Sequence, residues 1–323
     1  MPSRKKSSGA DAARRRAPQK AAASDDVVIS HPDKVLFPAD GITKGEMADY
    51  YRMIAPHMLP HVARRPITME RFHRGIGEKG FFQKSVTKGF PKWLERVAVP
   101  KKDGTVHHPI VTDARGLLWL ANQNCITSHV WTSRAPDLGH PDLLVFDLDP
   151  SVEDDDALRA ATLVVRDELA ALGLSSHVKT TGSKGFHVVV ALDGSAGYGE
   201  CAEFAHGFGR TLVQRHPKTF TQEFYKADRG DRILIDTGRN EFHATFAAPY
   251  TLRARDGAPV SAPCTWQELE QGSVQPQTFT LRGMADRIAG VGDLWRDLYA
   301  APHALPREAP RARRAHRAGG ARD

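Results

Sequence analysis

Hydrophobic positions along the chain recur at two periods, and their alternation predicts the order of the elements. Residues 47–59, MADYYRMIAPHML, have helical spacing behind Thr43-Lys44-Gly45-Glu46, a capping box in which Thr43 and Glu46 satisfy each other's backbone N–H groups. Short runs rich in β-branched and aromatic residues predict strands at ITMERF (67–72), FFQKSV (81–86) and VHHPIV (106–111). Helical spacing returns in DARGLLWLANQN (113–124), with Asp113 as its N-cap. LLVFDLDP (143–150), an apolar run stopped by a proline, predicts a buried strand. A long amphipathic helix follows to residue 173; the acids Glu153 to Asp156 at its start serve the helix dipole and are no site of their own. Strands are then expected at SSHVKTT, FHVVVAL, RILID and FHATFAAPYTL, with a helix through AEFAHGFGRTLVQRH and another near 281–299. Helices interleaved with strands of mixed spacing imply an α+β fold around a mostly antiparallel central sheet flanked by helices.

No fixed-period repeat and no low-complexity linker interrupts residues 24–300, so one compact domain with two lobes is expected there. The net charge of +7 gives a false impression of that domain. Residues 1–23 carry +6 and residues 301–323 carry +4, which leaves −3 on the part between. Any nucleic-acid site on the folded part must therefore be a local cluster of Lys and Arg. The tails, rich in Ala, Arg and Pro, have a disordered composition and serve as solubility arms or as sequence-independent phosphate binders. Cys125, Cys201 and Cys264 are far apart and form no CxxC pair, which argues against a disulfide framework and a structural zinc site and suits a reducing cytoplasm. No signal-peptide pattern and no membrane-length apolar stretch is visible.

Asp147 and Asp149 end the LLVFDLDP strand two residues apart, so both carboxylates share one face. Two such charges repel unless a cation or proton lies between them, and hard Mg²⁺ or Mn²⁺ suits oxygen-only ligands. A third acid, Asp236, ends RILID; three acids from two strand ends could align an in-line phosphoryl transfer on two metals. A solvated pair of strand-end acids is the plain alternative. The turn TTGSKGFH (180–187) offers backbone N–H groups, the Ser183 hydroxyl and the Lys184 ammonium to an anion, although without the P-loop spacing; it also fits an ordinary hairpin turn. His187 by itself could be a packed strand residue. Arg229 and Arg232 precede Asp236, while Arg253 and Arg255, two apart on an expected strand, could form a phosphate fork.

The motifs SHPDKVLFP, FFQKS, VFDLDP, TTGSKGFH, ILIDTGRN and APYTLRAR, in this order over roughly residues 27–298, resemble the polymerase domain of bacterial ligase D, of the archaeo-eukaryotic primase superfamily. The resemblance implies a primase-polymerase-like fold and a metal-dependent nucleotidyltransferase of non-homologous end joining, which fills gaps and extends broken DNA ends and favours ribonucleotides. It makes Asp147, Asp149 and Asp236 the catalytic metal ligands for Mn²⁺ or Mg²⁺. It gives the incoming NTP or dNTP to His129, Ser183, Lys184, His187, Arg229, Arg253 and Arg255. Lys34 and Lys44 match lysines that bind the 5′-phosphate downstream of a gap, and Phe81 and Phe82 match an aromatic pair that stacks on template bases. Strand packing alone would bury only one of those two rings.

His31 stands where such proteins often have Asn, and Glu70 where a basic residue is common, which argues against a phosphate role at position 70. The expected partners are gapped or broken duplex DNA, Ku and a separate ligase, in a nucleoid-associated, cytoplasmic setting. A free-standing polymerase is expected. The competing readings are a two-metal phosphoesterase or nuclease, and a non-catalytic protein that bridges DNA ends.

Overall fold

The structure is a computed structural model and describes residues 27–306. The chain opens with the pair β1 (Val35–Phe37) and β2 (Ile42–Thr43), then α1 (Lys44–Val62), β3 (Ile67–Arg71) and β4 (Phe81–Gln83). A hairpin of β5 (Arg96–Lys101) and β6 (Gly104–Pro109) leads to α2 (Ala114–Asn122) and β7 (Cys125–Val130). Next come β8 (Leu143–Pro150), α3 (Asp155–Ala170), β9 (His177–Thr180), β10 (Phe186–Ala191) and α4 (Tyr198–Arg215). The chain continues through β11 (Phe220–Thr221), β12 (Ile233–Asp236), β13 (Phe246–Ala247), β14 (Pro263–Cys264), α5 (Trp266–Glu270) and α6 (Met284–Val291).

Local chemistry starts the helices where the residues direct. Thr43 and Glu46 close the capping box of α1, Asp113 accepts from Gly116 N–H at the head of α2, and Asp154 accepts from Ala157 N–H at the head of α3. Two sheets carry the fold. The larger has the order β11-β12-β8-β10-β9-β14, antiparallel at every junction except β11 with β12; the second has the order β13-β7-β3-β4 and is antiparallel throughout. β10 lies centrally and buries all six of its residues, so its near-continuous apolar run reads as a strand covered on both faces. The architecture is α+β with a mostly antiparallel central sheet, as expected. Among the described residues no helix is long and apolar enough to cross a membrane.

Several elements differ from the pattern reading. The FFQKSV strand stops at Gln83, and the expected VHHPIV strand runs from Gly104 to Pro109, held by a partner, β5, that the pattern did not announce. FHATFAAPYTL yields only Phe246–Ala247, because His243 and Tyr250 adopt φ of 72° and 65° and turn the chain out of extended geometry on both sides. The closing helix spans only Met284–Val291 and ends at Gly292 with φ 67°. Ordered chain also continues past residue 300: His303 N–H donates to Ala191 O, and His303 O accepts from Asp193 N–H, alongside β10. The remaining tail residues, 1–26 and 307–323, lie outside the described residues.

Candidate active site

Strand register assembles the site. Asp236 on β12 is the direct partner of Asp147 on β8, Asp147 of His187 on β10, and His187 of Lys179 on β9. Directly opposed residues share a face, so one row across four strands carries two carboxylates, an imidazole and an amine. Asp149 joins them on the same face of β8, two residues on. A cavity of about 220 Å³ opens over this row, lined by the three carboxylates together with His129, Ser183, Lys184, His187, Arg239 and Arg253. His129 comes from the second sheet, on β7, so both sheets contribute to one site.

The carboxylates are held by cations of the chain itself. Arg239 Nη2 lies 3.1 Å from Asp147 Oδ2 and 3.1 Å from Asp236 Oδ2, and Arg229 Nη1 lies 3.3 Å from Asp149 Oδ2. His187 Nε2 faces the other oxygen of Asp147 at 3.3 Å, and Gly238 N–H donates to Asp236 Oδ1 at 2.8 Å. Burial opposes the charge on Asp147, but His187, Arg239 and Lys179 outweigh it and hold its carboxyl well below the usual range. Asp236 goes the other way: burial raises it, against Arg239, and the charges of Asp147 and Asp149 add to the rise. Adjacent acids pushed in opposite directions mark a place where charge is managed for chemistry. Burial and then Lys179 bring His187 down to about 4, so its imidazole is neutral near pH 7. Lys179 is wholly buried, bonded to Ser261 Oγ and to Thr180 O, and burial pushes its ammonium far below the ordinary lysine value.

The three carboxylates form an oxygen-only donor set suited to a hard divalent cation. Two of them already converge on a single point of positive charge, the Arg239 nitrogen, so the residues fit such a cation in kind. Among the described residues no three His, Cys, Asp or Glu side chains are arranged as a ready cage, and Arg239 pairs with both Asp147 and Asp236.

The TTGSKGFH turn differs from the anion nest expected of it. Thr181 Oγ1 accepts from both Ser183 N–H and Gly185 N–H at 3.1 Å, so those two amides brace the turn and do not face a ligand. Both glycines are sterically required. Gly182 has φ 64°, with Arg253 Cγ 2.8 Å from where a Cβ would stand, and a Cβ on Gly185 would meet Leu148 O at 1.7 Å. Lys184 and the Ser183 side chain remain at the cavity wall.

Arg253 and Arg255 do not share a strand; the chain turns between them, with Arg255 N–H donating to Arg253 O. Arg253 faces the carboxylate cavity and donates to Thr181 O at 2.7 Å, whereas Arg255 lines a neighbouring cavity of about 440 Å³ with Ser183, Lys184 and Lys226. The expected fork is thus split, because no strand pairing keeps the two residues extended. Arg229 reaches Asp149 from a loop that its own guanidinium braces through Glu223 O and Phe224 O.

Glu70, set aside at the sequence level, lies 3.4 Å from His129 Nε2 and is half-buried beside it. Burial raises Glu70, but His129 outweighs it and keeps the carboxyl below its ordinary value. Burial holds His129 low despite Glu70. Phe81 and Phe82, successive residues of β4, are both exposed, at 39% and 61%, and the Phe82 ring meets His129 edge-on at 5.5 Å. Lys34 and Lys44 line a separate cavity of about 630 Å³ with His31, Arg71 and Asn122. Lys44 is buried and donates to Ser30 Oγ, Lys34 donates to His73 O, and burial, Lys34 and Arg71 together lower Lys44. His31 has φ 51°, a region that Asn enters more readily than most residues.

Two site residues had gone unremarked. Arg239 belongs to ILIDTGRN, and its signal was a cation three residues after a strand-end acid. Lys179 was legible as the one charge inside the buried strand HVKT.

Comparison with known proteins places this arrangement. The family described as LigD, primase-polymerase domain, matches residues 43–295. A multifunctional non-homologous end joining protein LigD of Mycolicibacterium smegmatis is 36% identical over 272 residues, 83% of this chain and 35% of that protein. A bifunctional LigD of Bacillus subtilis is 29% identical over 277 residues, 85% of this chain and 44% of that protein. The chain therefore spans less than half the length of these relatives. Among solved structures, the polymerase domain of Mycobacterium tuberculosis ligase D in complex with DNA superposes with a TM-score of 0.80 at 35% identity, covering 86% of this chain and 99% of that one. The chain belongs to the LigD primase-polymerase domain family, whose members are metal-dependent nucleotidyltransferases of the polymerase type.

Proposed function

We propose that this protein fills gaps and extends ends at DNA double-strand breaks, adding nucleotides to a primer 3′-hydroxyl opposite a template, with a preference for ribonucleotides. The observation that carries the reading is the row Lys179, His187, Asp147 and Asp236, which sets oxygen ligands, flanked by cationic side chains, into one cavity. Asp147, Asp149 and Asp236 would hold Mn²⁺ or Mg²⁺, which when bound supplies Lewis-acid stabilisation of the phosphoryl group and lowers the pKa of the attacking hydroxyl. Lys184 and Arg253, on the same cavity wall, offer charge-assisted donors to the triphosphate, while Arg255 and Lys226 extend that positive lining into the adjoining cavity. His129, held beside Glu70, would give the 2′-hydroxyl of the incoming nucleotide a hydrogen-bonding neighbour. Exposed Phe81 and Phe82 offer ring faces to template bases.

Lys34 and Lys44, with Arg71, form a second cationic cavity for the 5′-phosphate on the far side of a gap. Extension leaves a nick, so a DNA ligase, together with the end-binding protein Ku, completes the reaction in the cell.

The test is a gapped duplex with a downstream 5′-phosphate, incubated with NTPs and Mn²⁺. Template-directed extension, faster with NTPs than with dNTPs, is expected. Shortening of either strand would make the protein a nuclease, and retention of DNA without extension would make it an end-bridging protein.

A further inference from the structure

Arg239 engages the carboxylate oxygens that a metal ion at this site would need. Asp147 and Asp236 each commit one oxygen elsewhere, to His187 Nε2 at 3.3 Å and to Gly238 N–H at 2.8 Å. The oxygens left facing the cavity, both Oδ2, are each 3.1 Å from the same guanidinium nitrogen, and Arg239 Nε adds a bond of 3.2 Å to Asp147 Oδ2. A divalent cation held by these acids would compete with the guanidinium for the same oxygens and would be repelled by its charge.

The backbone beneath Arg239 is rigid and its tip is not. Asn240, next in the same turn, is buried and bonded to both the N–H and the C=O of Val145 on β8. The Arg239 side chain is 38% exposed, and among the described residues its further hydrogen bond, beyond those to the two acids, is a long one to Thr245 O at 3.4 Å. The tip can therefore leave the acids while the turn stays in place. It needs another anion to go to, and a nucleotide triphosphate entering the same cavity supplies one.

We propose that Arg239 is the built-in counter-ion of this site: it holds metal affinity low in the substrate-free protein and couples tight metal binding to arrival of the nucleotide. The proposal rests on the reading of Asp147, Asp149 and Asp236 as metal ligands. Arg239 acts on the reaction through those acids and is a positioning residue.

Mn²⁺ binding to the full chain, without DNA, is measured by the electron paramagnetic resonance signal of free Mn²⁺, with and without a non-hydrolysable nucleoside triphosphate. Arg239→Gln, which keeps a polar side chain and removes the charge, should bind Mn²⁺ roughly tenfold more tightly than the wild type, within the usual range of coupling between sites. The nucleotide should then raise its Mn²⁺ affinity less than it raises that of the wild type, and Arg239→Lys should restore wild-type behaviour. Equal or weaker Mn²⁺ binding by Arg239→Gln would overturn the counter-ion role. The underlying metal assignment is judged separately: Mn²⁺ binding that survives both Asp147→Asn and Asp236→Asn would overturn the assignment itself. Should Arg239→Gln fail to fold, the wild type still decides. The arginine Nε resonance of Arg239 should shift when Mg²⁺ and the nucleotide analogue bind together, and an unmoved resonance in the filled site would refute the proposal.

Discussion

Asn240 gives the sharpest test of how the site is held. β12 ends at Asp236, opposite Asp147, so β8 would have unpaired backbone groups at Val145 on that side. The Asn240 side chain replaces the missing strand: Oδ1 accepts from Val145 N–H at 2.8 Å, and Nδ2 donates to Val145 O at 2.7 Å and to Thr237 O at 2.9 Å. The residue is 1% exposed, so water cannot easily take over these bonds. Asn240→Ala removes three hydrogen bonds and strands the buried N–H and C=O of Val145, while Thr237 O keeps the Asn240 backbone N–H; at about 1 kcal/mol per bond plus the desolvation cost of the two orphans, a loss of roughly 3–5 kcal/mol follows. For a folded region of this size that amounts to a fall in melting temperature on the order of 5–10 °C. Urea unfolding followed by tryptophan fluorescence, with the slope m checked for constancy, measures it directly. Because Arg239 and Asp236 flank the same turn, extension activity should fall further than stability alone explains when assayed well below the melting point. A stability loss under about 1 kcal/mol would show that the amide is not completing the ladder and that the turn is held by other contacts.

Three further outcomes are expected. Asp147→Asn, Asp149→Asn and Asp236→Asn, each nearly isosteric, should reduce extension to background while gapped-DNA binding persists; wild-type extension by any of them would remove that acid from the site. His177 is brought down to about 4, by burial first and then by His61. The unfolded chain therefore takes up a proton near pH 6.5 that the folded protein refuses until about pH 4, so stability falls as pH drops through that window by on the order of 3 kcal/mol for this residue. His177→Gln should flatten this loss, and identical pH profiles for the two proteins would contradict it. Removing the downstream 5′-phosphate should weaken DNA binding by the wild type much more than by the Lys34→Ala, Lys44→Ala double variant, and equal dependence in both would relocate the phosphate site.

What the residues settle locally, they settle without help. The caps at Thr43, Asp113 and Asp154 depend on hydrogen bonds three residues long, and the buried strands Leu143–Pro150 and Phe186–Ala191 are set by apolar runs whose polar side chains are the site residues Asp147, Asp149 and His187. The two-residue spacing of Asp147 and Asp149 likewise put both on one face before any partner was known. The ordered motifs announced the family by themselves.

Pairing between distant segments was a different matter. The opposition of Asp236 to Asp147, and of Lys179 to His187, follows from strand register, which is decided by packing across the whole sheet and has no local signature. Lys179 and Arg239 did carry local signals, a lone charge in a buried strand and a cation three residues after an acid, but only the assembled sheet shows what they face, just as Glu70 looked out of place until His129 stood beside it. The Arg253 and Arg255 fork failed for the same reason: a period of two holds only where a neighbouring strand keeps the chain extended, and there the chain turns. Of the two readings of TTGSKGFH, an anion nest or an ordinary turn, the nest loses the Ser183 and Gly185 amides, because the Thr181 hydroxyl takes both where the β8 backbone and Arg253 approach closely.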